Sequence, residues 1–217
     1  MDKKQIIENI SIYVKDKQSG EGSGHDWWHT KRVLDTAKYL AQEEGADLFI
    51  VKLAALLHDI ADWKFAGGDD KASSKVATEL LTKYGVDIES IDHVCHIVDN
   101  VSFKGEVQEN KINTIEGKVV QDADRLDALG AVGIARTFAY GGSKGREIYN
   151  PEIKFQENMN FEKYKKNQGS SINHFYEKLL LLKELINTRS AKKIAEERHQ
   201  FILIYLDEFY KEWDAKY

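Results

Sequence analysis

The chain has 217 residues, of which 42% are hydrophobic and 31% are charged, so it can bury a sizeable core and long disordered segments are not expected. The net charge of -5 at pH 7 argues against a domain that holds nucleic acid through phosphate contacts. Cys95 is the only cysteine, which excludes a disulfide within the chain and predicts a reducing, cytoplasmic location. The sequence has no signal-peptide pattern and no apolar run near the roughly 20 residues of a membrane span, so we expect no membrane association.

Helical spacing of apolar residues runs through most of the chain, and the single proline, Pro151, favours helices over many short strands joined by turns. The predicted helices contain residues 6–14, 25–45, 47–59, 76–81, 87–98, 115–129, 131–142, 172–186 and 191–213. Residues 145–170 are the least regular part of the chain, and their pattern leaves open an ordered lid or a mobile loop. With no repeat, low-complexity tract or linker, the sequence predicts one all-α domain over residues 1–217.

The third predicted helix ends in an adjacent histidine and aspartate, His58 and Asp59, after the apolar run of residues 53–57. A buried aspartate needs a cation or several hydrogen bonds to stay ionised, and the apolar run supplies neither. An imidazole nitrogen and a carboxylate oxygen that lie side by side can both reach one metal ion. The pair therefore predicts a metal site at the end of a buried helix.

Two more residues extend this pair to a set of four potential ligands. His29 lies on the second predicted helix, and Asp124 lies in the segment Gln-Asp-Ala-Asp-Arg-Leu-Asp. Taken alone, His29 is better explained as a capping or core histidine. For the whole set a metal is the better explanation, because unpaired buried carboxylates are costly. Two imidazoles and two carboxylates suit Mn, Fe, Co, Ni or Zn, with positions left for water or phosphate oxygens.

These motifs occur in the order His-x-x-Arg-Val, Leu-Leu-His-Asp and Ala-Asp-Arg-Leu, and this order resembles that of the HD-domain metal-dependent phosphohydrolase superfamily. The spellings His-Asp-Trp-Trp-His and Asp-Ala-Asp-Arg-Leu-Asp-Ala-Leu-Gly are similar to a small bacterial stand-alone branch that includes the YpgQ-like nucleotide pyrophosphatases. The resemblance extends from about residue 25 to the last helix. It implies an HD-domain helical bundle, with a metal-site core over about residues 25–140 and C-terminal helices over 171–216 packed onto it.

The resemblance also implies that His29, His58, Asp59 and Asp124 bind the metal. It selects Asp124 over Asp122 because the ligand of the superfamily stands directly before an Arg-Leu or similar pair. Residues two apart on a helix point to different sides, so Asp122 and Asp124 are not expected to be ligands together. The extra paired histidines of two-metal members are missing, which implies one divalent ion: Mn first, with Mg, Fe, Co, Ni or Zn as alternatives.

Asp62 stands where several family members carry a glutamate, three residues after the metal-binding aspartate. It is a candidate for positioning the attacking water or accepting its proton, and a solvated carboxylate at a helix end is an equal alternative. Lys64 is a candidate for neutralising phosphate, with an exposed lysine as the equal alternative. Arg32 lies one turn after His29 on the same side of the helix, which suits phosphate oxygens, although a salt bridge to a nearby aspartate is the alternative.

The remaining candidates are weaker. His174 and Lys178 lie one turn apart and resemble a His-Phe-x-Glu-Lys-Leu signature of the branch, which implies contact with a phosphate tail; structural capping is the alternative. Some aromatic residues could stack on a base, but buried packing is their default interpretation. These aromatic residues are Trp27, Trp28, Phe103 and Tyr140.

The function expected from the residues is metal-dependent hydrolysis of a phosphate ester or anhydride. The resemblance implies a nucleoside triphosphate that is cleaved between its α and β phosphates. Alternatives are a nucleoside monophosphatase, a cyclic-nucleotide phosphodiesterase, or a metal-stabilised nucleotide sensor that does not turn over. The expected partner is a small phosphorylated molecule, with no nucleic acid and no membrane, for a monomer or a homodimer.

Overall fold

The structure of the chain, a computed structural model, describes residues 1–20, 26–61, 71–102, 111–156 and 169–216. Every regular element in these ranges is a helix, which confirms the predicted all-α class. In chain order the elements are α1 (Lys3–Gln18), α2 (Trp27–Glu44), α3 (Leu48–Leu57), α4 (Ala72–Lys83), α5 (Ile88–Asn100), α6 (Ile115–Asp127), α7 (Gly130–Ser143), α8 (Ser171–Glu177), a 3-10 helix (Leu179–Leu185) and α9 (Arg189–Trp213). Among the described residues, no helix is both long enough and apolar enough to cross a membrane.

Aspartate side chains begin several of these helices. The carboxylate of Asp2 accepts a hydrogen bond from a backbone N–H in the first turn of α1, and Asp26, Asp47 and Asp87 do the same for α2, α3 and α5. Each cap satisfies a backbone donor that has no partner within its own helix. At the other end of α2, Gly45 has a φ of 72°, a left-handed conformation that glycine adopts without a steric penalty. The caps place the helix starts close to where the sequence predicted them.

The described residues form two compact units that divide within α6, between Asp124 and Arg125. In the first unit, α3 is the central helix: it packs against α1, α2 and α5, and residues 53–57 are fully buried. In the second unit, α9 packs against α7 and against the 3-10 helix, and α8 packs against α7. The single domain over residues 1–217 stays a prediction.

Two helix boundaries differ from the prediction in an informative way. The expected helix over 172–186 is broken at Lys178, whose φ of -144° and ψ of -58° are not helical. Leu179 and Leu182 are both buried, and their spacing of three residues matches the three-residue turn of the 3-10 helix that replaces the second half. In α7, Gly141 does not end the helix; a Cβ there would lie 2.2 Å from the Oγ of Ser171, so close packing on α8 requires glycine.

A candidate metal centre

The first turn of α2 and the end of α3 supply the histidines of the predicted site. The N–H of His29 donates to the Oδ1 of Asp26 at 2.9 Å, so the cap of α2 also fixes the backbone of this histidine. His58 is the C-cap of α3, and residues 58–61 form turns, whereas the predicted helix extended through Asp59. Both imidazoles are buried, with 0% and 3% of their surface exposed. Helix packing therefore brings two histidines from separate helices into one interior position.

The two imidazoles and the carboxylate of Asp59 converge. The Nε2 atoms of His29 and His58 lie 3.2 Å apart, and they lie 3.4 Å and 3.5 Å from the Oδ2 of Asp59. Ligand atoms about 2.1 Å from a cation lie about 3.0–3.4 Å apart around an octahedral or tetrahedral ion. The observed separations of 3.2, 3.4 and 3.5 Å lie within or close to that range, so these three residues form a candidate metal site.

Asp124 borders the same position from α6. Its Oδ1 lies 3.6 Å from the Nε2 of His29 and 3.9 Å from the Nε2 of His58. Both distances are slightly longer than those from the Oδ2 of Asp59 to the same two nitrogens. Its side chain is 25% exposed, whereas that of Asp59 is 10% exposed. Asp122 has no exposed surface, and Asp127 pairs with Arg136 at 3.0 Å. The Oδ1 of Asp124 thus lies within 4 Å of the Nε2 atoms of both histidines.

A hydrogen bond beside the cluster orients the ring of His58 so that its Nε2 can bind a cation. The Nδ1 of His58 lies 2.9 Å from the carbonyl oxygen of Ala55, and as a donor there it leaves the Nε2 lone pair free in a neutral imidazole. A carbonyl partner on the outer nitrogen is typical of metal-binding histidines. The donor set of two imidazole nitrogens and carboxylate oxygen therefore fits a divalent cation.

Gln18 is a contributor that the sequence did not indicate. This residue ends α1 and is buried; its Nε2 donates to the carbonyl oxygen of Asp59 at 3.3 Å, and its Oε1 accepts from the hydroxyl of Thr30 at 2.8 Å. These bonds connect the backbone of Asp59 with α2, which also carries His29. A glutamine at the end of an amphipathic helix has no pattern that distinguishes it from a solvated residue.

The other predicted residues of the first unit are only partly described. Asp62 and Lys64 lie outside the described residues, as does Phe103. Arg32 is half-buried on α2, and its role in phosphate binding stays a prediction. Trp28 is 63% exposed, so its default interpretation as a buried residue is wrong, whereas Trp27 is buried.

In the second unit, His174 lies on α8, and Lys178 is the first residue after the end of this helix. Both side chains are half-buried. Arg198 donates from Nη1 to the carbonyl oxygen of Leu126, and Arg125 donates to that of Leu185. These two arginines each bind a backbone carbonyl oxygen within the second unit.

The comparisons with known proteins agree with this geometry. Residues 27–129 match the model of the HD domain family. The uncharacterised protein YpgQ of Bacillus subtilis is 42% identical over 207 residues, which cover 94% of this chain and 92% of YpgQ. A solved structure from Lactobacillus plantarum has a TM-score of 0.89 at 37% identity and covers 100% of both chains. An HD-superfamily hydrolase from Bacillus thuringiensis has a TM-score of 0.76 at 44% identity and covers 99% of this chain and 100% of its own.

The all-helical fold and the histidine-aspartate cluster are those of a metal-dependent phosphohydrolase. The chain belongs to the HD-domain superfamily of hydrolases, as the extent of these matches shows. A structure of B. subtilis YpgQ in complex with ADP is 40% identical, with a TM-score of 0.74, and covers 95% of this chain and 97% of YpgQ.

Proposed function

We propose that this enzyme hydrolyses nucleotides, and that it converts (deoxy)nucleoside triphosphates to monophosphates and pyrophosphate. The observation that carries the proposal is the buried cluster of His29, His58 and Asp59, since its donor atoms suit a cation that binds phosphate oxygens. The nucleotide class is supported by the relative YpgQ, which has been crystallised with ADP. Cleavage between the α and β phosphates follows from the resemblance of the sequence motifs.

We further propose that Asp124 is the fourth ligand and that one divalent ion, Mn by preference, occupies the site. Mixed nitrogen and oxygen ligands suit Mn, although Mg, Fe, Co, Ni and Zn are accepted by similar sets. Asp124 borders the two histidines and is more exposed than Asp59, so it lies on the side from which substrate would approach. When bound, the ion supplies a Lewis acid for a phosphate oxygen and lowers the pKa of a coordinated water.

The residues of the chain would then act around the phosphate. Attack of a water oxygen on the α phosphorus forms one P–O bond and breaks the bond to the oxygen that bridges the α and β phosphorus atoms. Asp62 would take the proton that the water loses, and Arg32 and Lys64 would offset charge on the phosphoryl oxygens. His174 and Lys178 would contact the phosphate tail. Pyrophosphate and a nucleoside monophosphate leave as products.

Hydrolysis of a nucleoside monophosphate or of a cyclic nucleotide on the same cluster is the enzymatic alternative. The products distinguish the reactions, because only the proposed cleavage releases pyrophosphate. A nucleotide sensor without turnover would bind one nucleotide and release no product. The cytoplasmic location and the choice between monomer and homodimer stay predictions.

A panel of nucleotides tests the proposal. Ribo- and deoxyribonucleoside triphosphates, diphosphates, monophosphates and cyclic nucleotides are incubated with Mn, Mg, Co or Ni, and orthophosphate and pyrophosphate are measured separately. We expect equimolar pyrophosphate and monophosphate from triphosphates, with the highest rate in Mn. Orthophosphate alone, or a linearised cyclic nucleotide, would contradict the proposed bond cleavage while keeping the phosphohydrolase class.

A further inference from the structure

The second unit contains a cavity of about 640 Å³ bordered by residues 149–155, α8 and α9. Small-molecule pockets commonly have volumes of about 300–1,000 Å³, so the cavity is large enough for a ligand of that kind. The residues that matter to its chemistry are Tyr149, Lys154, Phe155, Asn173, Tyr176 and Tyr210. None of them is among the predicted catalytic, metal-binding or substrate-binding residues.

Aromatic rings form the walls of the cavity in fixed positions. The rings of Phe155 and Tyr176 are stacked, with centroids 4.9 Å apart and planes 20° from parallel. Tyr149 meets Tyr210 edge to face at 5.5 Å and Trp213 at 5.0 Å. Phe155 keeps 41% of its surface exposed although it is stacked on one side, so part of its ring remains available to a ligand.

A buried amide offers hydrogen bonds to the same space. The side chain of Asn173 is only 3% exposed, and its Nδ2 donates to the carbonyl oxygen of Ile153 at 2.9 Å, which fixes the orientation of the amide. Its Oδ1 accepts no hydrogen bond from any residue that the structure describes, and Nδ2 carries a second hydrogen. An oriented amide with one acceptor and one donor is complementary to the edge of a nucleobase.

A cation lies at the edge of the cavity. Lys154 is exposed, and within the described ranges its ammonium group has no ion-pair partner. A lysine in this position can pair with an anionic group attached to a ring that lies deeper in the cavity. Burial first, and a hydrogen bond with Tyr176 second, raise the pKa of Tyr210, so this phenol adds no negative charge to the cavity.

We propose that this cavity binds a nucleoside monophosphate, with the base against Phe155, the base edge at Asn173 and the phosphate at Lys154. A purely apolar ligand would leave the buried amide without a new partner, and a simple anion would leave the aromatic surface uncovered. The proposal does not depend on the reaction at the metal cluster.

The position of the site on α8 separates it from the predicted phosphate contacts. Asn173 and Tyr176 are three residues apart and share one face of this helix, whereas His174 lies about 100° around the helix from Asn173 and Lys178 lies beyond its end. A ligand in the cavity therefore does not require the side chains that the sequence assigned to the phosphate tail of the substrate.

Calorimetric titration of the full chain with AMP, adenosine and ribose 5-phosphate tests the proposal. The titrations use EDTA-treated wild-type protein and the His58→Ala variant, so that the metal cluster does not contribute. We expect AMP to bind one site per chain, adenosine to bind more weakly, and ribose 5-phosphate to bind at least tenfold more weakly than AMP. If neither preparation binds AMP, the cavity proposal is overturned, whereas the proposed hydrolysis at the metal cluster is not affected.

Two variants with matched controls locate the binding. Phe155→Leu should weaken AMP and adenosine alike by about tenfold, because stacking on an aromatic ring is lost. Lys154→Met should weaken AMP but not adenosine. Phe201→Leu and Lys192→Met, which change exposed residues of α9 outside the cavity lining, should bind AMP as the wild type does. AMP binding unchanged by Phe155→Leu, or ribose 5-phosphate binding as tightly as AMP, would overturn the proposal.

Discussion

The Nε2 atoms of His29 and His58 lie 3.2 Å apart although the residues are 29 positions apart in the chain. The ring centroids are 5.2 Å apart and the ring planes are inclined by 68°, and the two Nε2 atoms point at a common position. One shared proton can join only one donor to one acceptor, whereas the Oδ2 of Asp59 lies near both nitrogens. A cation satisfies all three groups together, which makes the packing of α2 on α3 the feature that creates the site.

Replacing His58 with alanine should remove the metal and the activity together. The variant loses one of the two buried nitrogen ligands, so we expect metal content near zero. We expect its turnover rate to fall by a factor of about 100 or more. Metal content can be measured by mass spectrometry on dialysed protein and turnover by product release. Circular dichroism would verify that the variant is folded.

His96→Ala is the control for this variant, because His96 is an exposed histidine on α5. We expect it to keep the metal content and turnover of the wild type. A His58→Ala protein that keeps its metal and its rate would show that the cluster is not the metal site.

Asp124→Asn and Asp122→Asn together test the fourth ligand. The Oδ1 of Asp124 lies 3.6 Å and 3.9 Å from the histidine nitrogens, and an amide is a much poorer ligand than a carboxylate. We expect Asp124→Asn to weaken metal binding at least tenfold in a competition with a chelating dye. Asp122 is fully buried, so Asp122→Asn should lower the urea midpoint of unfolding. It should lower metal affinity less than Asp124→Asn does. The reverse pattern would reassign the ligand to Asp122.

The helical architecture could be predicted from the sequence because its signals are local. The aspartates that cap α2, α3 and α5 stand at or next to the predicted starts of these helices, directly before residues with helical spacing. The adjacency of His58 and Asp59 is equally local, so the metal hypothesis needed no knowledge of tertiary contacts.

Features that depend on distant partners could not be predicted in this way. The contact of Gln18 with the backbone of Asp59 joins the end of α1 to the end of α3. No sequence pattern near Gln18 predicts this contact. The cavity around Asn173 needs segments from three parts of the second unit. The break at Lys178 shows the same limit, because the burial of Leu179 and Leu182 favours a 3-10 helix over a continuous α-helix at this point.

Asp62→Asn should separate catalysis from metal binding. Asp62 lies three residues after Asp59 in the sequence, and we propose that it takes a proton from the attacking water. General-base catalysis commonly contributes about 10²- to 10⁴-fold, so turnover should fall within that range while metal content stays unchanged. A variant with the wild-type rate would show that Asp62 has no catalytic role.

His199 on α9 should make the stability of the protein depend on pH. Burial first, and the charge of Lys183 second, lower the pKa of His199 from its ordinary value of 6.5, and its buried Nδ1 has no hydrogen-bond partner among the described residues. Well above pH 6.5 the histidine is neutral in both states and has no effect. As the pH falls below 6.5, the unfolded chain binds a proton that the folded chain does not, so the free energy of unfolding decreases until the pH reaches the folded pKa. The urea midpoint of the wild type should therefore fall more between pH 7.5 and pH 5.5 than that of His199→Gln. Equal falls in the wild type and His199→Gln would exclude this histidine as a source of the pH dependence.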